Sequence, residues 1–420
     1  MPNVVWLTLL LSTLVTAVGV ILLRTQADRL HLVDLPGGHK RHQGAVPVIG
    51  GLAMFIGVVV SLSILPGALA ATPVLMFGCL AFVLMGAYDD AHHLSPRVRL
   101  LAQVVVAALI VYFSPHNVRL ETLGNFLGLG EVRLGLMSEP FTIFVIVAAV
   151  NAFNMLDGLD GLAGGVSFAA GAALLAVSGS GIPLSLIPVL AALVGATFAF
   201  LCFNAPALIN RPMRTFMGDA GSTLIGLILA TVLVAACQGQ ARLLSPVNAI
   251  WCLFLPATEV IQSTLRRLLA GRSPFAPDRG HLHHQLRAAG LPVQGIFLLV
   301  TATSLVGCVV GVLFERTAVP DVVSFAILLA ASATYMGVIR VLVLRVHARL
   351  VLEEQDSVLA DGIGDVPHVS GVEGLDRKHY YTASVRLTTL SNPNAMSRPR
   401  FITPEFGPPD VEPASDADVA

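Results

Sequence analysis

Charged residues are scarce in this chain. Of its 420 residues only 12% are Asp, Glu, Lys or Arg, whereas 55% are hydrophobic, and the mean hydropathy is +0.79. This balance excludes a soluble globular protein. The apolar runs are long and show no alternation of polar and apolar positions, which favours spanning helices over barrel strands. The sequence therefore predicts an all-α integral membrane protein.

Cysteine is also rare, and its placement indicates neither a metal site nor a disulfide. All five cysteines lie in apolar runs without ligand-like spacing, so we interpret them as small core residues: Cys79, Cys202, Cys237, Cys252 and Cys308. The first residues, MPNVVWLTLLL, lack the basic start and the small-residue cleavage site of a secretory signal. We expect them to form the first spanning helix.

Apolar segments of about 20 residues, the length of one membrane span, recur along the first 345 residues. We predict eleven spans, near residues 4–23, 47–65, 68–87, 98–114, 140–154, 162–180, 184–203, 221–238, 246–265, 293–314 and 321–343. The stretch 117–135 alternates around glycines and predicts a small hairpin outside the membrane. Residues 1–345 then form the membrane domain, and 346–420 form a polar tail with a disordered end.

Basic residues orient these spans. The loops after the odd-numbered spans contain thirteen Lys and Arg residues, and the other loops contain four. Because cytoplasmic loops are enriched in Lys and Arg, we predict an N-terminus outside, a C-terminal tail in the cytoplasm and a periplasmic hairpin.

Five loops with unusual polar content fall on the predicted cytoplasmic face, which indicates one shared site. They are DLPGGHKRHQGAVPVIGG from Asp34, YDDAHHLSPR from Tyr88, NMLDGLDG from Asn154, FNAPALINRPMRTFMGDAGS from Phe203 and SPFAPDRGHLHHQL from Ser273. A transporter is the non-enzyme alternative. It would place its polar site near the membrane midplane with access from both sides, which fits this one-sided arrangement less well.

Carboxylates in these loops point to a cation. Asp89 and Asp90 are adjacent like charges, which need a cation or strong hydrogen bonds nearby. Mg²⁺ is the natural candidate because it takes oxygen ligands and shares them with substrate phosphates, although a solvated helix end is the simpler alternative. Asn154, Asp157 and Asp160 follow at i, i+3 and i+6, a spacing that can place them on one face of a helical turn.

Asp219, in FMGDAGS, precedes a predicted span, where it suits either a helix N-cap or an anion or metal site. The histidines of HLHH suggest zinc, but cysteines or further well-spaced ligands are missing. Several arginines accompany them and favour a cationic pocket for phosphate or a nucleotide instead: Arg266, Arg267, Arg272 and Arg279.

In this order the motifs resemble those of the polyprenyl-phosphate N-acetylhexosamine-1-phosphate transferases, glycosyltransferase family 4, over about residues 1–345. Within the family, the chain is more similar to the bacterial branch that transfers N-acetylglucosamine 1-phosphate to undecaprenyl phosphate than to the phospho-muramoyl-pentapeptide branch. A phosphotransferase of the CDP-alcohol type would need Asp-Gly-x-x-Ala-Arg, whereas Gly161 is followed here by Leu162-Ala163-Gly164.

The resemblance implies transfer of a sugar 1-phosphate from a UDP-sugar to undecaprenyl phosphate, with release of UMP. This would initiate synthesis of a cell-envelope polysaccharide such as lipopolysaccharide O-antigen, in the bacterial inner membrane with the site facing the cytoplasm. N-acetylglucosamine is the expected sugar, and N-acetylgalactosamine or a deoxy-amino sugar is the alternative. The expected partners are these two substrates and membrane lipid, with no nucleic acid and with a homodimer as the candidate assembly.

The resemblance also implies roles for residues that match the family motifs. It implies Mg²⁺, or Mn²⁺, held by Asn154 and Asp219, with Phe216 stacked on uracil and Asp160 bonded to the uracil edge. The catalytic roles fall on Asp89, Asp90, Asp157 and His281, and the contacts to substrate phosphates on Lys40, Arg267, Arg279, His283 and His284.

Overall fold

The computed structural model describes residues 2–34, 44–116, 118–179, 181–206, 213–239, 241–271, 273 and 280–362. In these ranges the chain is mostly helical: α1 (Pro2–Arg24), α2 (Gly50–Ile64), α3 (Pro73–His92), α4 (Pro96–Phe113), α5 (Ser138–Leu156), α6 (Leu162–Val177), α7 (Leu186–Asn204), α8 (Gly218–Ala236), α9 (Pro246–Cys252), α10 (Phe254–Leu269), α11 (Leu282–Ala288), α12 (Val293–Arg316) and α13 (Asp321–Gly362). Two short antiparallel strands, β1 (Val33–Asp34) and β2 (Val46–Pro47), pair Val33 with Pro47.

Eight of these helices are long and apolar enough to cross a membrane: α1, α3, α4, α5, α7, α8, α12 and α13. The apolar helices α2 and α6 are shorter. The predicted all-α, multi-pass membrane protein is therefore confirmed for the described residues, whereas the count of eleven spans and their orientation stay predictions. The chain divides into the units Met1–Leu352 and Glu353–Ala420, and of the second only the helical residues 353–362 are described.

The ninth predicted span, 246–265, is not one helix. It is broken at Leu253 into α9 and α10. Pro256 explains the break, because a proline has no N–H and its ring clashes with the carbonyl four residues earlier, here that of Cys252. The last candidate span, Asp321–Val346, lies close to the predicted 321–343, and its helix α13 continues beyond it to Gly362.

The stretch after α4 forms the predicted hairpin. Thr122 and Arg133 form an antiparallel bridge. The Leu123 N–H donates to the Val132 carbonyl at 2.9 Å, and the Leu134 N–H donates to the Glu121 carbonyl at 2.9 Å. The hairpin is therefore confirmed as a local structure, and its side of the membrane stays a prediction.

Helix α8 lies at the centre of the bundle, with every residue from 220 to 236 buried. It packs against α3 and α5, and its N-terminal half also meets α2 through glycines. A Cβ at Gly51 of α2 would collide with the backbone of Gly221, and a Cβ at Gly86 of α3 would collide with the backbone of Ala220. Small residues allow such close approach of membrane helices, so the ends of α2, α3 and α8 meet backbone to backbone.

Candidate active site

Backbone hydrogen bonds fix the segment that precedes α8. The Phe216 N–H donates to the Pro47 carbonyl at 2.8 Å, and the N–H groups of Gly50 and Gly51 donate to the carbonyls of Phe216 and Met217 at 3.0 Å. Gly218 follows with φ of +72°, a conformation that glycine adopts without strain. The start of α8 is therefore held by β2 and by the first residues of α2.

Asp90 caps this helix start. The backbone N–H of Asp219 donates to both carboxylate oxygens of Asp90 at 3.1 Å, and a Cβ at Gly218 would collide with Asp90 Oδ2. A carboxylate is favourable at a helix N-terminus because free N–H groups and the positive end of the helix dipole meet it there. Asp219 itself lies in the first turn of α8, so the N-cap alternative for this residue is wrong.

Arg99 joins two of the predicted site carboxylates. Its NH1 donates to Asp89 Oδ2 at 2.8 Å and to Asp219 Oδ2 at 2.9 Å. The other oxygen of Asp219 accepts a hydrogen bond from Asn154 Nδ2 at 2.7 Å. Side chains from α3, α4, α5 and α8 therefore converge at one point, where the Arg99 guanidinium lies between two carboxylates.

The residues present fit a magnesium site of few protein ligands. Asp219 and Asn154 offer a carboxylate and an amide oxygen, which are the oxygen donors that Mg²⁺ prefers, and they lie within hydrogen-bond distance of each other. Among the described residues no three His, Cys, Asp or Glu side chains are grouped to hold a metal. Mg²⁺ usually keeps several waters and shares substrate phosphates, so a set of two protein ligands suits it and does not suit structural zinc.

All five polar loops contribute to one cavity of about 1050 Å³. One residue from each loop illustrates this: Asp34, Asp89, Asp157, Asp219 and His284 line it. The predicted shared site is therefore confirmed as a structural feature. Removal from water, and then the neighbouring carboxylates Asp219, Asp90 and Asp160, raise the pKa of Asp157 well above its usual range.

The prediction that Asn154, Asp157 and Asp160 lie on one face of a helix is wrong, because only Asn154 is within α5. Helix α5 ends at Leu156, and a turn follows up to Gly161, which has φ of +79°. Two glycines in five residues favour this turn because glycine weakens a helix and tolerates positive φ. Asp157 and Asp160 nevertheless both line the cavity.

The two residues predicted to bind the nucleobase lie on the same wall and are linked by Arg214. Its NH2 group donates to Asp160 Oδ2, and its guanidinium carbon lies 4.9 Å from the centre of the Phe216 ring, a cation–π distance. The Arg214 carbonyl accepts a hydrogen bond from Arg24 at 2.8 Å. Arg214 therefore organises the part of the cavity that the motifs assign to uracil.

The histidines of α11 differ in their surroundings. His284 and Arg287 line the cavity. His283 is buried, and a Cβ at Gly158 would collide with its ring. Burial, and then the positive charge of nearby histidines and Arg287, lower the pKa of His283 to about 3. His283 is therefore neutral near pH 7 and lies behind the wall, so its predicted phosphate contact has no direct support in this geometry.

His281 lies beside these histidines, with its ring stacked on that of His283 at 6.0 Å, and it does not line the cavity itself. Arg267 lies in the last turn of α10 and likewise outside the cavity lining. Lys40 and Arg279, the remaining predicted phosphate contacts, fall outside the described residues. The chemical roles of all these side chains stay predictions.

Sequence analysis missed four residues that the structure adds: Arg99, Arg214, Arg287 and Glu259. In the sequence the three arginines count only among the basic residues that orient the spans. Nothing there indicates that Arg99 and Arg214 pair with site carboxylates or that Arg287 lines the cavity. Glu259 had a usable signal, because it is a lone acidic residue inside a predicted span, and ionisable residues at such positions are by default functional candidates.

Comparisons with known proteins point to one family. A family model described as glycosyl transferase family 4 matches residues 72–237. An undecaprenyl-phosphate alpha-N-acetylglucosaminyl 1-phosphate transferase of Yersinia pestis is 36% identical over 316 residues, which is 74% of this chain and 85% of the relative. Proteins with the same name from Salmonella typhi and Haemophilus influenzae are 35% and 36% identical, over 77% and 73% of this chain and 87% of each relative.

Proposed function

The chain belongs to glycosyl transferase family 4, and from this premise we propose that it transfers N-acetylglucosamine 1-phosphate from UDP-N-acetylglucosamine to undecaprenyl phosphate and releases UMP. We further propose that the reaction depends on Mg²⁺, that the cavity faces the cytoplasm of a bacterial inner membrane, and that the product initiates a cell-envelope polysaccharide.

One observation supports this function more than any other, namely that all five polar loops line the same cavity. Its volume of about 1050 Å³ is slightly above the usual range of small-molecule sites, about 300–1,000 Å³, and suits a nucleotide sugar together with a lipid phosphate. The wall combines an aromatic ring with carboxylates and guanidiniums, represented by Phe216, Asp89 and Arg99.

In the proposed reaction an oxygen of undecaprenyl phosphate attacks the phosphorus bonded to the sugar. A new P–O bond forms, the bond from this phosphorus to the oxygen shared with UMP breaks, and UMP leaves with that electron pair. A phosphate monoester has its second pKa near 6, so the acceptor is largely a dianion at neutral pH and needs no strong base. Asp89, already bonded to Arg99, therefore positions the reactants more than it removes a proton.

The remaining side chains bind and orient in this mechanism. Phe216 and Asp160 hold the uracil ring by stacking and by a hydrogen bond, and Arg214 keeps both in place. His284 and Arg287 face the phosphates from α11. Mg²⁺ held by Asn154 and Asp219 would supply positive charge to the diphosphate, the usual function of metal ions in phosphoryl transfer.

The test is a membrane assay of UMP release. UDP-N-acetylglucosamine, UDP-N-acetylgalactosamine and a UDP-linked deoxy-amino sugar are each supplied with and without undecaprenyl phosphate and Mg²⁺. We expect UMP only when donor, lipid phosphate and Mg²⁺ are all present, with the highest rate for UDP-N-acetylglucosamine. UMP release that does not require the lipid phosphate contradicts the proposed acceptor, and a higher rate with another donor changes the assigned sugar.

A further inference from the structure

Glu259 is a buried acidic residue on α10 with no part in the mechanism described above. It is only 3% exposed, and a buried carboxylate is unfavourable unless it is well paired. Its Oε1 lies 2.9 Å from Nδ1 of His281. Both of its oxygens accept the backbone N–H of Leu282 at 3.2 Å. Two donors from the beginning of α11 thus converge on one carboxylate of α10.

This arrangement fixes which nitrogen of His281 bears the proton. An ionised carboxylate can only accept hydrogen bonds, so the His281 nitrogen that faces Glu259, Nδ1, is the donor. The second ring nitrogen, Nε2, is then the one left to meet another group. A carboxylate behind an imidazole sets its tautomer and orientation and stabilises the cation when Nε2 takes up a proton.

The same carboxylate also anchors α11. Leu282 is the first residue of α11, and its N–H has no acceptor within the helix. His281 is the N-cap residue, and its own side chain makes no capping hydrogen bond. Glu259 supplies the missing acceptor from a neighbouring helix. Two residues that follow Leu282 in α11 line the cavity, namely His284 and Arg287. Glu259 therefore connects α10 to that wall of the cavity.

We propose that Glu259 is a positioning residue that acts through His281, holding the imidazole with Nδ1 protonated so that Nε2 is the nitrogen available for the catalytic role that the family motif implies for His281. The proposal rests on the proposed function for the nature of the substrate, whereas the tautomer of His281 can be measured without any substrate.

The experiment compares Glu259→Gln with the unchanged full-length protein in lipid nanodiscs. Gln keeps the size of the side chain but removes its negative charge, and it offers one oxygen acceptor and one NH₂ donor where Glu259 offers two acceptor oxygens. We expect kcat for UMP release to fall about 10- to 100-fold, the range observed when a carboxylate behind a metal-ligating histidine is removed. The KM for the UDP-sugar should change less than about threefold. Thr258→Val is the matched control, since Thr258 is also buried on α10 but bonds to Ser332 on α13; its kcat should not change.

Two further measurements separate a positioning role from a structural one. In a His281→Ala background, Glu259→Gln should cause little additional loss, because residues acting as one unit are not additive and the amide oxygen of Gln can still accept the Leu282 N–H. Nitrogen-15 histidine NMR of the substrate-free protein should show His281, identified by its absence in His281→Ala, losing its preference for protonated Nδ1 in Glu259→Gln.

Multiplicative losses in the double variant, wild-type kcat in Glu259→Gln, or an unchanged His281 tautomer would each overturn the proposal. If the unchanged protein releases no UMP at all, the proposed function fails instead, and the NMR result still decides the role of Glu259.

Discussion

Replacing Arg99 by Gln removes the positive charge that the structure places between Asp89 and Asp219. In the substrate-free protein both oxygens of Asp219 are already engaged, one by Arg99 at 2.9 Å and the other by Asn154 at 2.7 Å. A divalent cation that binds Asp219 must compete with the guanidinium for this carboxylate. We therefore expect Arg99→Gln to bind divalent cations more tightly than the unchanged protein in the absence of substrate.

The size of this effect follows from the geometry. Two unit charges about 4 Å apart interact by about 4 kcal/mol at an effective dielectric constant of about 20. The Arg99 side chain is 34% exposed, and solvent screening reduces such energies substantially, so we take about 2 kcal/mol for the competition. Since about 1.36 kcal/mol corresponds to a tenfold change in an equilibrium constant, the dissociation constant should fall roughly 30-fold.

The assay is a titration of the protein in lipid nanodiscs with Mn²⁺, followed by the EPR signal of the free ion, without UDP-sugar. Arg97→Gln is the matched control. Arg97 lies on the same first turn of α4 and is exposed, so its removal changes the net charge equally without touching the carboxylates. Weaker or unchanged Mn²⁺ binding in Arg99→Gln, or an equal gain in Arg97→Gln, would refute the reasoning that Arg99 competes with the cation.

Three other substitutions test separate parts of the site. Asp219→Ala should abolish Mg²⁺-dependent UMP release; full activity in this variant would remove Asp219 from the proposed metal site. Phe216→Ala should raise the KM for the UDP-sugar about tenfold, in line with about 1–3 kcal/mol per stacked base, with kcat changed less, and an unchanged KM contradicts the stacking role. Gly158→Ala should lower activity because its Cβ collides with His283, and activity measured in Gly158→Ala/His283→Ala should recover in part if that collision is the cause.

The chemistry of the site was visible in the sequence because the motifs keep their polar residues close together along the chain. The Asp89-Asp90 pair, the turn at Asp157 and the segment at Asp219 each follow or precede an apolar run. Counting basic residues put them on one face, and the cavity brings them together. This part of the prediction needed only local sequence and the geometry of spanning helices.

Partners that come from distant parts of the chain could not be predicted in this way. Arg99 meets Asp219, which lies 120 positions later. Glu259 on α10 meets His281, the N-cap residue of α11, 22 positions later. Neither contact has a local pattern, because both depend on how the helices pack. The break at Leu253, by contrast, had a visible cause in the sequence, namely Pro256.

The backbone contacts at Gly51 and Gly86 leave the helices beside the cavity little room to approach one another. No compressible layer of side chains separates the ends of α2, α3 and α8 there, so none of these helices can shift to accept a bulkier donor without separating the others. The α11 side has no such restriction, since it is held by the side chains of Glu259 and His283. Attempts to broaden the range of accepted sugars should therefore vary the residues of α11 and leave the glycines unaltered.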